Sequence, residues 1–286
     1  MIELRNKIKL QYNGFWLLTI TSLLIALNWY IVKYDSASLI FWCAALSIIW
    51  RNRNNYSFDS NIFSTIIGLL LITWVLLRCI LLSNEYSDIL TRIYPLVSVF
   101  GICFLATKIT KVTQYWRTIL IVSLTGIPFE HIFKLLSPTQ TISILDAKIS
   151  RLILWYLGFD VTQTDNFVFL PTGSIEIAGR CSSFNLLWLM WQFCLVIYLC
   201  FTLKKSQRIL LGFWATVIAL VVNGIRLCLM ALLVANNHQE AFEYWHGSSG
   251  AEVFTTIAIL LFALVHWLLS RQKQQQKEDL SKLYES

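Results

Sequence analysis

Three short stretches hold the side chains best suited to chemistry: "GRCSSFNLL" with Cys181, "VVNGIRLCLM" with Asn223 and Arg226, and "EYWHGSSGAEVF" with His246 and Glu252. A thiol is a nucleophile as its thiolate, a form that helix N-termini and neighbouring cations favour. Cys181 stands beside Arg180, where a polar loop meets an apolar run opened by Ser182 and Ser183, so it has both kinds of neighbour. Imidazole is the usual base that activates a thiol. His246 is followed by Gly247, Ser248, Ser249 and Gly250, a composition that permits a tight turn into a helix. Arg226 lies inside an apolar run, where a cation is costly unless it is paired or faces a wet interior. Its guanidinium could bind a carboxylate or stabilise a developing oxyanion. Asn223, three residues earlier on the same helical face, is a candidate to orient Arg226, and Glu252 to pair with Arg226 or His246. Each has a plainer reading beside it: Cys181 as a boundary residue, Arg226 as a snorkelling or ion-paired side chain, and His246 as a solvated loop residue.

The elements that must position these groups are membrane helices. Of 286 residues 57% are apolar and 14% charged, whereas soluble domains carry about 25% charged residues; the mean hydropathy is +0.62. Apolar runs of the length that spans hydrocarbon recur at 15–32, 37–50, 62–82, 89–106, 118–136, 182–203, 209–234 and 249–269. The pattern predicts an all-α polytopic integral membrane protein of about eight transmembrane helices. It forms a single domain, with N-terminal helices over 1–136, a loop over 137–180, the helices bearing the chemistry over 181–270 and a tail over 271–286. The second run is short, and the fifth is interrupted by Pro128, Glu130, His131 and Lys134. The first follows Arg5, Lys7 and Lys9 as a signal peptide would, but it continues into "NWYIVKYD" without a small-residue cleavage site and reads as a retained anchor.

Cations alternate between connections. One set holds Arg5, Lys7 and Lys9; Arg51 and Arg53; Lys108, Lys111 and Arg117; Lys204, Lys205 and Arg208; and Arg271, Lys273, Lys277 and Lys282. The other set is poor in them apart from Lys148, Arg151 and Arg180. The positive-inside rule then places both termini in the cytoplasm and Cys181, Arg226 and His246 at helix ends on the outer face of the plasma membrane. The net charge of +7 reflects topology and contact with anionic lipid rather than nucleic-acid binding. The outer loop opens with the helical "ILDAKISRLILWYLGF" and changes to "DVTQTDNFVFLPTGSIEIAG". There Phe167 and Phe169, then Ile175 and Ile177, alternate around the turn residues Pro171 and Gly173, which predicts a short β-like hairpin leading into Cys181.

The remaining cysteines, Cys43, Cys79, Cys103, Cys194, Cys200 and Cys228, fall within apolar runs and read as small buried hydrophobes. Arg78–Cys79 is a weaker second thiol and cation pair, because adjacent helical residues point to different faces. Glu130, His131 and Lys134 form a polar patch suited to structure or substrate-tail docking. Trp188 and Trp191 read as belt and packing residues. The sequence carries no CxxC pair, metal spacing, phosphate loop or dinucleotide fingerprint, so neither a metal nor a soluble cofactor is expected.

Cys181 in "GRCSSFNLL", Arg226 in "NGIR" and His246 in "HGSSG", in that order on successive outer-face helix ends, resemble the exosortase/archaeosortase family. The likeness lies mainly in residues 179–254; the bulky Phe184 departs from the small residue usual after Cys-Ser, and the Trp and Gln content with the basic tail resembles cyanobacterial members. The resemblance implies a polytopic cysteine transpeptidase. Its partners would be secreted proteins bearing a C-terminal recognition motif, a hydrophobic helix and a basic end, together with a cell-surface acceptor and the lipid bilayer. It further implies Cys181 as nucleophile, His246 as base and then acid, and Arg226 as oxyanion donor or anchor for an acidic motif residue. The rival readings are a polytopic transporter, with Arg226, Glu130 and His131 lining a polar pathway, and a noncatalytic scaffold for surface-polymer assembly. No convincing internal repeat, as many transporters have, joins the halves.

Overall fold

The computed structural model describes residues 2–31, 36–81, 93–126 and 138–285. Glu130, His131 and Lys134 therefore lie outside the described residues. The chain divides into two compact units, Met1–Pro128 and Phe129–Ser286.

The first unit is helical: α1 (Ile2–Ile31), α2 (Ser36–Arg51), α3 (Ile62–Leu81), α4 (Tyr94–Ala106), a 3₁₀ segment (Ile109–Tyr115) and α5 (Trp116–Gly126). Leu24, Ile72, Val75 and Tyr94 form a buried cluster here, and Cys79 packs against it, partly buried among apolar neighbours. The guanidinium of Arg78 lies 5.9 Å from the centroid of the Trp74 ring. Helix α4 ends where Thr107 adopts an extended conformation. The Ser64 hydroxyl donates to the carbonyls of Phe104 at 2.9 Å and Thr107 at 2.6 Å, meeting acceptors that the broken helix leaves open. Across this break the chain bends by 119°.

The second unit contains α6 (Pro138–Tyr156), a three-stranded antiparallel sheet, α7 (Phe184–Cys200), α8 (Lys205–Ala235), the short α9 (Gln239–His246) and α10 (Ser248–Glu285). One face of α6 carries Ser143, Asp146, Ala147, Ser150 and Leu154, all buried, whereas Lys148, Arg151, Leu152, Trp155 and Tyr156 are exposed. This is the spacing of a single helical stripe turned to the interior. The expected hairpin is present and gains a third strand: β1 (Thr162–Thr164), β2 (Phe167–Leu170) and β3 (Gly173–Glu176). Val168 pairs with Ile175 in register, and both are buried with Ile177 on the inner side. Phe167 and Phe169 stack on the outer side at 6.0 Å, so the aromatic and aliphatic alternations face opposite ways.

The chain is a mostly helical, multi-pass membrane protein, but the eight-span expectation is not met among the described residues. Three helices are long and apolar enough to cross a bilayer, Ile62–Leu81, Lys205–Ala235 and Ser248–Arg271, or four if the bent pair Tyr94–Ala106 and Ile109–Gly126 is one span. Trp16–Tyr30, Ser38–Arg51 and Phe184–Cys200 are apolar but shorter. At about 1.5 Å per residue α2 and α7 fall short of a ~30 Å hydrocarbon core, whereas Trp16–Tyr30 is part of the longer α1.

Candidate active site

Past β3 the chain stays extended to Ala178 and then turns at Gly179, whose φ of +53° favours a residue without Cβ. A single 3₁₀ turn, Gly179–Cys181, delivers the cysteine, and the Cys181 amide donates to the Ala178 carbonyl at 3.1 Å. Ser182 is extended and α7 begins at Phe184, so the helix start lies two residues beyond the sequence expectation. Cys181 is 8% exposed, packed in a cluster with Ile177, Leu227 and Met230, against which Phe242 and Trp245 also rest. Asn223 of α8 donates its side-chain amide to the Cys181 carbonyl at 3.0 Å. Its amide thus holds the cysteine backbone, and among the described residues it makes no hydrogen bond to Arg226.

Arg226, one helical turn further along α8, is 6% exposed. Its Nε and Nη2 donate to the Trp245 carbonyl at 3.2 and 3.1 Å, and Nη2 also donates to the His246 carbonyl at 3.1 Å. These carbonyls end α9, where intrahelical donors run out, so the guanidinium closes the helix C-terminus with charge-assisted bonds. The next helix can start so close only because residue 250 is glycine. A Cβ there would sit 2.5 Å from the Trp245 Cα and 2.7 Å from the Trp245 and Tyr244 carbonyl oxygens. The His246 ring is exposed and stacks on Phe242, centroids 5.3 Å apart and planes within 7°. Among the described residues no hydrogen bond joins its imidazole to Cys181. The cysteine backbone, the guanidinium and the main chain of the His246 turn thus meet around one segment of α8.

Burial pushes the Cys181 thiol above its ordinary range, and the positive charge of Arg226 opposes that shift. The sequence points to a depressed value, from the helix start and neighbouring cation. Desolvation of the charged form outweighs the Arg226 charge, because the sulfur lies among aliphatic side chains. A thiol in this setting keeps its proton at rest and needs a base when it reacts.

Asp146 escapes sequence reasoning altogether. It is fully buried on the inner stripe of α6, and its Oδ2 accepts from the Ser182 hydroxyl at 3.0 Å and from the Ser183 amide at 2.7 Å. Burial raises its carboxyl above the usual carboxylate range, against the lowering effect of the bonds from Ser183 and Ser182. The available signal was the spacing of Ser143, Asp146 and Ser150, three polar residues on one helical face. Glu252 is not paired with Arg226 or His246: it is exposed and lines a shallow groove of about 490 Å³ with Tyr244, Ser249, Val253, Thr256 and Ile257. The indole of Trp191 donates to the Thr216 hydroxyl at 3.2 Å. Among the described residues no group of three or more His, Cys, Asp and Glu side chains could hold a metal ion.

Residues 29–263 match the family model described as transmembrane exosortase. A stretch of 103 residues, 36% of this chain, is 28% identical to a protein described as probable archaeosortase E from Methanocaldococcus jannaschii. That match spans about half of the relative, 52% of its length. No solved structure matches the chain. The family match runs through both compact units and encloses Cys181, Asn223, Arg226 and His246, and on that extent the chain belongs to the transmembrane exosortase family.

Proposed function

We propose that this chain is a membrane-embedded cysteine protease and transpeptidase that cleaves C-terminal sorting signals from secreted proteins and transfers the remaining protein to a cell-surface acceptor. The observation that carries the reading is the convergence on α8: Asn223 holds the Cys181 carbonyl, and Arg226 holds the carbonyls of Trp245 and His246. Family membership makes sorting-signal transpeptidation the favoured class of chemistry.

In this reading His246 takes the Cys181 proton as the sulfur attacks the scissile carbonyl carbon, forming a C–S bond and a tetrahedral oxyanion. The Nη1 group of Arg226 has no hydrogen bond among the described residues, which leaves it as the donor toward that oxyanion or toward an acidic residue of the recognition motif. Collapse breaks the C–N bond, and the imidazolium returns the proton to the leaving amine. An amine, hydroxyl or water then attacks the thioester and frees the thiol. Because burial holds the resting thiol protonated, deprotonation is coupled to attack rather than completed beforehand. Ser182 supports the cysteine segment, and Glu252 contributes through the groove it lines.

The substrate tail lies in the bilayer as a hydrophobic helix with its basic end in the cytoplasm, the site works on the extracytoplasmic face, and both termini are cytoplasmic. The test is Cys181→Ala in the host, with the protein confirmed in the membrane at normal level. Secreted proteins ending in an apolar helix and a basic end are then weighed by mass spectrometry. Retained tails are the expected outcome; normal tail removal rejects the cysteine reading and leaves transport or scaffolding.

A further inference from the structure

We propose that Asp146 is a positioning residue for Cys181: its carboxylate reaches from α6 to the two residues after the cysteine and fixes the backbone that presents the thiol. The inference rests on the reading of Cys181 as nucleophile.

The bonds form a short relay. The Ser182 hydroxyl donates to Asp146 Oδ2 at 3.0 Å and accepts from the Phe184 amide at 3.4 Å, while the Ser183 amide donates to the same Oδ2 at 2.7 Å. Ser183, the residue that opens α7, makes no side-chain capping bond to that helix. The acceptor for the Ser183 amide at this helix start therefore comes from another helix. On the other side, Asn223 holds the Cys181 carbonyl. The cysteine segment is clamped between α6 and α8, with one anchor on the carbonyl of the Cys181–Ser182 peptide and the other on the Ser182 hydroxyl and Ser183 amide beyond it.

An ordinary structural anchor would need only the one oxygen that takes these bonds. Among the described residues Asp146 Oδ1 is also buried without a hydrogen-bond partner. Among the described residues no cation pairs with the carboxylate either, so this is a costly group to keep as a mere tether. The cost is understandable where the position of an adjacent reactive atom matters, since a displacement of about 1 Å lowers turnover by about 100-fold.

The experiment uses the full chain in native membranes with Asp146→Ala, Asp146→Asn and Ser182→Ala. Iodoacetamide alkylation of Cys181 and of the buried Cys228 is followed by peptide mass, and tail retention on secreted proteins is scored in parallel. Released from the carboxylate, the Asp146→Ala segment should expose its thiol, so Cys181 alkylates several-fold faster while Cys228 is unchanged and tail removal falls about 100-fold. Asp146→Asn keeps an acceptor for Ser182 and Ser183 and should restore most of both properties. Ser182→Ala cuts half of the clamp and should show the same opposed changes to a smaller degree.

Unchanged Cys181 alkylation in Asp146→Ala overturns the proposal, as does a parallel rise at Cys181 and Cys228, which marks general loosening. Should Asp146→Ala fail to accumulate, Ser182→Ala decides by the same two readouts. Normal tail removal in Cys181→Ala would sink the nucleophile reading instead, a result that the Asp146 comparison cannot mimic.

Discussion

A thiol among aliphatic side chains and a guanidinium bound to two carbonyls pull on each other's chemistry. Burial favours the neutral form of Cys181, and Arg226 favours the charged one, with burial the larger of the two. Removing the cation leaves only the raising effect, so Arg226→Gln should move the pH dependence of Cys181 alkylation to higher pH than in the parent protein. Tail removal should fall by roughly 100- to 1000-fold if Arg226 also serves the oxyanion. A titration of the alkylation rate checks the first, and an unmoved profile would mean that Arg226 acts only through the Trp245 and His246 carbonyls. At this scale Cys181, Arg226 and His246 were legible in the sequence because each interrupts its surroundings: a thiol at a loop edge, a charge in an apolar run, an imidazole before a Gly-rich turn. Asp146 was not, because in "ILDAKISR" a carboxylate beside Lys148 and Arg151 looks like any solvated helix, and only packing shows which face turns inward.

The junction of α9 and α10 shows why the position of a glycine matters as much as that of a charged group. With a Cβ at residue 250 the contacts would be to backbone atoms, which cannot rotate away as a side-chain tip can. Gly250→Ala should therefore cost about 1–3 kcal/mol from overpacking, seen as a lower thermal midpoint in detergent. It should also disable tail removal, since the Trp245 and His246 carbonyls must move off Arg226. A variant with the parent midpoint would show that the two helices can separate freely. The Gly-Ser-Ser-Gly turn was readable from composition, but the reason for its second glycine was not. The sheet was half legible: alternation in 167–177 announced strands, while β1, only Thr162–Thr164 and without an apolar signature, paired because Val168 and Gln163 came into register.

For the whole molecule the open quantity is how many of the apolar runs cross the bilayer. Hydropathy counts apolar residues but does not register a break such as Thr107, where Ser64 satisfies the freed carbonyls and the chain turns through 119°. The orientation implied by the alternating cations is testable in intact cells. Asp165 occupies the exposed β1–β2 turn at φ +52°, and Arg271 ends the apolar part of α10. With a membrane-impermeant maleimide, Asp165→Cys should label from outside and Arg271→Cys only after permeabilisation, each read against the parent chain. Labels on the opposite sides would invert the topology and place the Cys181 segment in the cytoplasm.

The sequence by itself determined the solvent, the helical class and the residue types available for reaction, because these follow from apolar content, from the spacing of charges and from the rarity of polar groups inside apolar runs. It also carried the family. Tertiary structure decided which of those groups meet. Asn223 turned to the Cys181 carbonyl rather than to Arg226, Arg226 to the end of α9 rather than to Glu252, and Asp146 to the start of α7. The physical reason is that a buried donor or acceptor must find its partner among whatever groups packing brings within about 3 Å, and those neighbours come from residues 19 to 42 positions apart in the chain.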